Sequence, residues 1–391
     1  MVPGVGGLKD HEMVNLLPVT QTPKDSGEVE KGSNERNALI DNSKFFLMWS
    51  IILIHSYEWP GHAATLQMFI DPFGTRAFCF VSGVVSRSPC SWRGLRRLFT
   101  GVVVPLLFFN TLVRPLGEHT GPETIPEFFE VTTTWMFPRF TAGDGLQHLH
   151  VTWYFYCLVL WRLLGYAMHH LPAGTKLGVA VVIGAVGGYL DTTWFALTWG
   201  LVSYPVFVAG QLFPLTTACE VIPWSPRTAL FGVGILLALY FLTAIDIVND
   251  FVGDVPNFGW VDSLSLSKWK YARPSCSIVE FLLLWNRGLL RNLLEMLKAM
   301  TLIVLCVPRW HCWVSDLGKN SVFPYLLHSV VIHLLQQVVP IVDRVTRHSV
   351  AGAVVLAFLL NVSLSSWPVR NVFCFILDPV WLDDLISRLC S

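Results

Sequence analysis

Lys-Phe-Phe-Leu-Met-Trp-Ser-Ile-Ile-Leu-Ile-His, residues Lys44 to His55, opens the first long apolar run of this 391-residue chain. It carries a cation at its start and an imidazole at its end. On an α-helix this spacing rotates by about 1100°, so both side chains lie on one face, about 16 Å apart along the axis. In a bilayer with a core about 30 Å thick, Lys44 would lie at one edge and His55 near the middle. A histidine at that depth is a candidate functional residue, the alternative being a helix-lining histidine bonded to a neighbour.

The composition indicates a membrane protein. Of the residues, 53% are hydrophobic and only 14% are charged, whereas soluble domains carry about 25% charged residues. The repeated apolar runs predict an all-α polytopic transmembrane bundle of about ten membrane-spanning helices. The net charge is zero, so nothing favours nucleic-acid binding, and the expected partner surface is the lipid bilayer. The nine cysteines form no Cys-x-x-Cys pair, so no metal site is predicted.

Three regions follow from the distribution of apolar residues. Residues 1–36 are polar and predict a disordered cytoplasmic tail, residues 37–370 a single membrane domain, and residues 371–391 a C-terminal tail. Between Ser277 and Val307 the pattern fits either one tilted span or an interfacial helix followed by a span. The other predicted spans lie at about 44–57, 66–86, 98–113, 148–166, 176–190, 194–213, 228–248, 320–339 and 349–367.

The basic residues of the loops predict an orientation in the membrane. The loop after the second span contains four arginines and no acid: Arg87, Arg93, Arg96 and Arg97. By the positive-inside rule this loop is cytoplasmic, and both termini are then cytoplasmic as well. The long loop over 114–145 is poor in Lys and Arg for its length and belongs on the other side. The four arginines can bind an anionic substrate, or they can simply set the topology.

Four segments, taken in order, resemble a known family. They are Ile40-Asp41 followed by Lys44 and His55; Phe78-Cys-Phe-Val-Ser82-Gly83; His150-Val-Thr-Trp153-Tyr154; and Leu317-Gly318 followed by Asn320-Ser321, Tyr325 and His328. This pattern resembles the acyltransferase type 3 family of integral membrane O-acyltransferases, which includes fucose 4-O-acetylase-like members. The family commonly has arginine at the position of Lys44, and its pattern does not include an arginine at position 76.

The resemblance implies a reaction and a donor. It implies transfer of an acyl group, above all acetyl, from acyl-CoA to a hydroxyl of a carbohydrate or related acceptor, with no permanently bound cofactor. A hydroxyl is a poor nucleophile at neutral pH, and histidine is the most frequent general base, so His55 is the predicted base. Lys44 and the four arginines would then bind the anionic part of acyl-CoA on the cytoplasmic side.

Further residues are candidates for binding donor or acceptor. Tyr325 and His328 are three residues apart and share a helix face, although hydrogen bonding between helices would explain them equally well. His150 and Trp153 share a face in the same way, and a tryptophan there can also be an interfacial anchor. Ser82 is included through its place in the second matching segment.

Two other classes of function stay open on the residues alone. A secondary transporter or flippase would also place His, Lys and Arg along a path through the membrane. Against it, no inverted repeat with paired broken helices is visible. A catalytically silent scaffold fits less well with the histidines and cations on helix faces, and no Gly-x-Ser-x-Gly segment suggests a serine hydrolase.

The orientation can be tested with a single cysteine placed in either loop. A cysteine between Arg87 and Arg97 should resist an impermeant thiol reagent on sealed cells, and one in the 114–145 loop should react, because the arginine-rich loop is held on the cytoplasmic side. Labelling of the first loop from outside would overturn this orientation.

Overall fold

The computed structural model describes residues 31–56, 66, 69–70, 73–74, 76–86, 91–113, 152–187, 196–244, 293–377 and 379–389. Every regular element in these ranges is helical, which confirms the predicted all-α class. The helices are α1 (Lys31–Ser56), α2 (Arg76–Val85), α3 (Trp92–Leu98), α4 (Val104–Phe108), α5 (Trp153–Ala167), α6 (Ala173–Gly187), α7 (Leu197–Leu212), α8 (Leu215–Val221), α9 (Pro226–Ala244), α10 (residues 293–301), α11 (Trp313–Lys319), α12 (Val322–Val338), α13 (Pro340–His348), α14 (Val350–Leu364), α15 (Trp367–Leu377) and α16 (Val380–Leu389).

Within the described ranges, three five-residue π-helical turns occur in two helical stretches. Phe99–Val103 joins α3 to α4, Phe109–Val113 follows α4, and Leu302–Cys306 follows α10. A π-helical turn is rare and occurs mostly as a single turn within an α-helix, frequently at a functional site. The helical stretch over 92–113 therefore changes its hydrogen-bond spacing three times, because α-helical and π-helical segments alternate along it.

Helix α1 lies at the centre of one half of the bundle. It contacts α2, α11, α12 and α14. Its packing against α14 includes hydrogen bonds from Trp49 Nε1 to the carbonyl of Val354, at 3.2 Å, and from Asn361 Nδ2 to the carbonyl of Phe45, at 3.0 Å. The helix begins at Lys31, whereas the sequence predicts its start near Lys44, because the polar residues between them include no proline to break it. Residues 31–36 of the predicted tail thus lie in α1.

Helix α7 lies at the centre of the other half and contacts α2, α5 and α6. Two glycines allow α2 and α7 to cross with their backbones in close approach. A Cβ on Gly83 would meet the carbonyl oxygen of Phe207, and a Cβ on Gly210 would meet the carbonyl oxygen of Phe80. Small residues at such a crossing are typical of helix pairs in membranes.

A third glycine makes a similar crossing between α1 and α11. A Cβ on Gly318 would meet the carbonyl oxygen of Asp41. The Leu317-Gly318 pair and the Ile40-Asp41 pair, which open two of the four matching segments, therefore meet in space. In both matching segments that contain glycine, the helix crossing requires the glycine, whatever the catalytic role of the neighbouring residues.

The described residues include both buried charges and large exposed apolar side chains. Arg76, Glu295 and Lys298 are buried, while large apolar residues are exposed on α6, α9 and α14, among them Val182, Leu230, Phe231, Val355 and Leu359. Exposed apolar helix faces of this kind suit contact with lipid.

By length and composition, one described helix, Ala38–Ser56, is apolar enough to cross a membrane by itself. Val350–Leu364 and Trp367–Leu377 meet the same requirements together, as a pair bent by 64°. The apolar parts of the other described apolar helices have 10–17 residues, Pro226–Leu242 of α9 among them. The ten-span count stays a prediction.

Most predicted spans lie close to observed helices, with ends that differ. The span predicted over 148–166 corresponds to α5, and the one over 320–339 to α12. The predicted C-terminal tail begins at residue 371, inside α15, and also contains α16. The segment 277–307 is described only from residue 293, so the choice between its two predicted forms lies outside the described residues.

The α2–α7 crossing gives a prediction about stability. Gly83→Ala should lower the unfolding temperature in detergent, because the added methyl group meets a backbone carbonyl, at a cost of about 1–3 kcal/mol. The measurement is thermal unfolding followed by intrinsic fluorescence.

Gly178→Ala on α6 is the matched control, because a Cβ there meets nothing within 4 Å. Alanine is the better helix former, so this variant should be as stable as the wild type or more stable. Equal unfolding temperatures for Gly83→Ala and the wild type would show that the two helices do not cross as closely as described.

Candidate functional site

The C-terminal turn of α1 lies against the first half of α12, and this contact brings two histidines together. The ring centroids of His55 and His328 are 5.3 Å apart, with 44° between the ring planes. His55 is half-buried, whereas His328 is fully buried. The first and the last of the four matching segments thus meet at their histidines.

The hydrogen bonds of His328 define its protonation. Its Nδ1 lies 2.8 Å from the carbonyl oxygen of Pro324 and 2.9 Å from that of Tyr325. A carbonyl oxygen can only accept, so Nδ1 must carry the proton and donate it. Nε2 of the neutral ring therefore presents a lone pair, and among the described residues this buried atom has no hydrogen-bond partner.

His55 lines a narrow cleft, called here the histidine cleft, together with Ser329, Ile332, His333 and Gln336. Its empty volume is about 190 Å³, open solvent at the mouth included. Between these described residues no space is large enough for a water molecule, so the cleft is closed as it stands. The hydroxyl of Ser329 is buried at the cleft and makes no hydrogen bond within the described part of the chain.

An aromatic cluster lies behind His328. The ring of Tyr325 is 6.3 Å from His328, 5.4 Å from Tyr154 and 5.2 Å from Phe155. The hydroxyl of Tyr154 is hydrogen-bonded to Ser82, which also donates to the carbonyl of Phe78 at 2.7 Å. Segments from α2, α5 and α12 therefore meet here, and Tyr325 supports His328 rather than lining the cleft.

His150 and Trp153, the two candidates in the span predicted over 148–166, are not both described. Trp153 is buried, with its ring 5.5 Å from that of Trp199 on α7. It belongs to the aromatic core and does not form an exposed anchor. His150 lies outside the described residues.

Lys44 forms an ion pair with Asp41, one helical turn earlier on α1. Lys44 Nζ lies 3.1 Å from Asp41 Oδ1, and the two side chains are 19% and 9% exposed. The ammonium group uses one of its three hydrogens in this bond. It lies on α1 eleven residues before His55, as the sequence predicts.

The polar residue beside this pair fixes α1 against the loop before α11. Asn42 is fully buried and donates to the carbonyls of Pro308, at 2.8 Å, and Trp310, at 3.2 Å. Its Oδ1 accepts from the Ser315 hydroxyl at 2.6 Å. Sequence reasoning missed Asn42, although an amide inside an apolar helix is itself a signal of internal hydrogen bonding.

Three of the four predicted arginines are described, and all three lie on α3. Arg93 is exposed, and Arg96 and Arg97 are half-buried. Ser91 caps this helix by accepting a hydrogen bond from the backbone N–H of Gly94, at 3.1 Å. Arg87 lies outside the described residues.

Arg162, on α5, is a further cation that was not predicted, and it contacts the end of α2. Arg162 Nε donates to the Ser86 hydroxyl at 3.1 Å, and Gln211 Nε2 donates to the Ser86 carbonyl at 2.8 Å. Both side chains satisfy groups at the C-terminus of α2, just before the predicted arginine loop. A lone arginine within an apolar span, as Arg162 is, could have indicated such a partner.

Arg76, which the family pattern does not include, forms a buried ion pair. Its Nε lies 3.1 Å from Glu295 Oε2, with side-chain exposures of 1% and 7%. Lys298, on the same helix as Glu295, lies 5.0 Å above the ring of Phe69. The ion pair joins α2 to α10, and the lysine contact joins α10 to Phe69. Asp71, the other charge of the predicted second span, lies outside the described residues.

Comparison with known proteins identifies the family. The acyltransferase type 3 family model, described as an acyltransferase domain, matches residues 37–366. No curated protein and no solved structure matches the chain. The match covers all four segments that suggested the family from the sequence, and it spans most of the chain. The chain therefore belongs to the acyltransferase type 3 family.

Proposed function

We propose that this protein is a multi-pass membrane O-acyltransferase that moves a small acyl group, acetyl above all, from acyl-CoA to a hydroxyl of a carbohydrate or related acceptor. The single observation that carries the proposal is that His55 lines a narrow cleft while Lys44 lies on the same helix. Family membership supports O-acyl transfer in general. The donor, the acceptor and the ten-span topology with cytoplasmic termini are part of the proposal.

The donor would enter from the side of Lys44. Acyl-CoA is anionic at its nucleotide end, and Lys44 already holds a carboxylate oxygen of Asp41 at 3.1 Å. Its remaining hydrogens are available to a phosphate oxygen. Arg87, Arg93, Arg96 and Arg97 would bind the nucleotide on the same side, and the thioester would extend along α1 toward His55.

The narrow cleft supports a site protected from water. As it stands, it holds no space large enough for a water molecule between the described residues that line it. Exclusion of bulk water limits hydrolysis of the donor. Donor and acceptor would require the cleft to open.

His55 would act as the general base. The acceptor hydroxyl gives its proton to His55 as its oxygen attacks the thioester carbonyl carbon. The new C–O bond forms and the C–S bond breaks. CoA leaves as a thiolate and takes the proton back from His55, so the histidine returns to its neutral form.

Ser329 is the best placed donor for the developing oxyanion. Its hydroxyl is buried at the histidine cleft, and it makes no hydrogen bond to the part of the chain that the structure describes. A donor positioned before reaction stabilises negative charge on the thioester oxygen without reorganisation.

A transporter or flippase is the second candidate, and the buried charges of Arg76, Glu295 and Lys298 favour it. Charged residues within a helical bundle often mark a substrate path. The two functions differ in one product, since only acyl transfer releases CoA.

Lys44→Ala should weaken acyl-CoA binding by about 3- to 10-fold, because a partly exposed charge contributes modestly to an ion pair. Lys44→Arg should keep most of the affinity, since charge and reach survive. The measurement is acyl-CoA affinity of purified protein by titration calorimetry. Lys176→Ala on α6 is the control lysine, and unchanged affinity in Lys44→Ala would remove Lys44 from the donor site.

His55→Ala and His55→Gln should each lower acyl transfer by about 10²- to 10⁴-fold, since neither side chain can take up the proton. Both should still bind acyl-CoA. The assay measures CoA release together with the acylated acceptor, and thermal unfolding in detergent is recorded alongside. His169→Ala is the control, because that histidine is exposed at the end of α5.

The same series separates the alternatives. A purely structural His55 would give activity in the Gln variant and a loss in the Ala variant that follows its stability. A transporter would release no CoA even as the wild type, and its His55 variants would change uptake instead.

A further inference from the structure

His328 has no role in the reaction proposed above, although it lies beside the base. It is fully buried, its Nδ1–H donates to two carbonyls of its own helix, and its Nε2 has no partner among the described residues. Burying an acceptor without a hydrogen-bond partner lowers the stability of the fold, so such a group usually has a functional explanation. The neighbouring ring of His55, 5.3 Å away between centroids, supplies one.

We propose that His328 is a positioning residue that accepts a hydrogen bond from the ring N–H of His55 through its Nε2, directly or through one water, when His55 acts as the base. This inference rests on the proposed function of His55. It assigns to a neutral imidazole the part that a carboxylate has in other acyl-transfer enzymes, where it holds the base in one tautomer.

The backbone of α12 fixes the direction of the hydrogen bond between the two histidines. The carbonyls of Pro324 and Tyr325 both lie within 2.9 Å of Nδ1, so that nitrogen keeps its proton. In the neutral ring, Nε2 can then only accept. An acceptor beside His55 favours the His55 tautomer whose proton points to His328, which leaves the other His55 nitrogen without a proton and able to take one from the acceptor hydroxyl.

The same bond acts again after proton transfer. When His55 has taken the acceptor's proton it is a cation with two N–H groups, and one of them donates to His328 Nε2. The other returns its proton to the CoA thiolate. His328 gains and loses no proton in the cycle, and it touches neither donor nor acceptor.

The packing behind His328 supports a fixed position. The Tyr325 ring lies 6.3 Å from His328 and contacts Tyr154, which is hydrogen-bonded to Ser82 on α2. Because the ring is enclosed on this side and bonded to its own helix, its orientation does not depend on the substrate. Preorganised groups of this kind accelerate reactions without having to rearrange.

Amide substitutions separate the two nitrogens of His328. His328→Asn keeps a donor near the Nδ1 position and removes the acceptor at Nε2. His328→Gln can place its amide oxygen near the Nε2 position. We expect His328→Asn to lower kcat by about 10- to 100-fold, with KM for acetyl-CoA within about twofold of the wild type, and His328→Gln to recover part of that kcat.

The control has the same local geometry at another place. His169 Nδ1 lies 2.8 Å from the carbonyl of Tyr166, also three residues earlier, but its side chain is exposed. His169→Asn should leave kcat, KM and the unfolding temperature unchanged. The experiment uses full-length protein in detergent with acetyl-CoA and an accepted hydroxyl substrate, and normalises activity to folded protein.

The outcomes distinguish this inference from the proposed function. If the wild type releases no CoA, both fail. If the wild type is active and His55→Ala is not, but His328→Asn keeps the wild-type kcat, only the role of His328 is overturned. A loss in His328→Asn that merely follows its unfolding temperature, with Gln no better, also overturns it. If the Asn variant does not fold, His328→Phe, which fills the volume without an acceptor, should show the same fall in kcat at unchanged KM.

Discussion

The close approach of helix backbones at glycine is the constraint on which the rest of this structure depends. At Gly83 and Gly210 α2 crosses α7, and at Gly318 α11 meets α1, each with no room for a Cβ. Polar bonds reinforce the second crossing, because Asn42 is bonded to the segment just before α11. In lipid there is little hydrophobic force between helices, so van der Waals contact and internal hydrogen bonds hold the bundle together. The second crossing fixes α1, and the histidine cleft lies between the end of α1 and α12.

Much of this arrangement could be predicted from the sequence, for physical reasons that differ from residue to residue. The low charge content indicates helices in a membrane, and the spacing of Lys44 and His55 follows from the geometry of a single helix. The order of four segments indicates the family, which the match over 37–366 confirms. Each of these inferences needs only local sequence or a comparison of whole patterns.

The remaining features depend on contacts between distant parts of the chain. Nothing local shows that His55 faces His328, since 273 residues separate them (328 − 55). The partner of Arg76 is equally distant, because Glu295 lies on a different helix. The start of α1 was predicted too late for another reason: a hydropathy pattern marks the edge of the membrane, whereas a helix continues until its backbone is interrupted. The sequence pattern includes the glycines of Ser82-Gly83 and Leu317-Gly318, but only the close crossing of helix backbones explains why glycine is needed there.

The π-helical turns on either side of α4 have a consequence for comparing this chain with its relatives. Each such turn holds about one residue more than an α-helical turn and absorbs it locally, so the numbering of the residues after it shifts by one, which corresponds to about 100° around a regular helix. A relative with regular turns throughout would be two residues shorter between the positions of Trp92 and Val113 and would still place both ends of the helix alike. A correct alignment would therefore open two single-residue gaps in the middle of a helix, where alignment methods penalise gaps most. Without the first of these gaps, the residues of α4 would be matched to the wrong helix face.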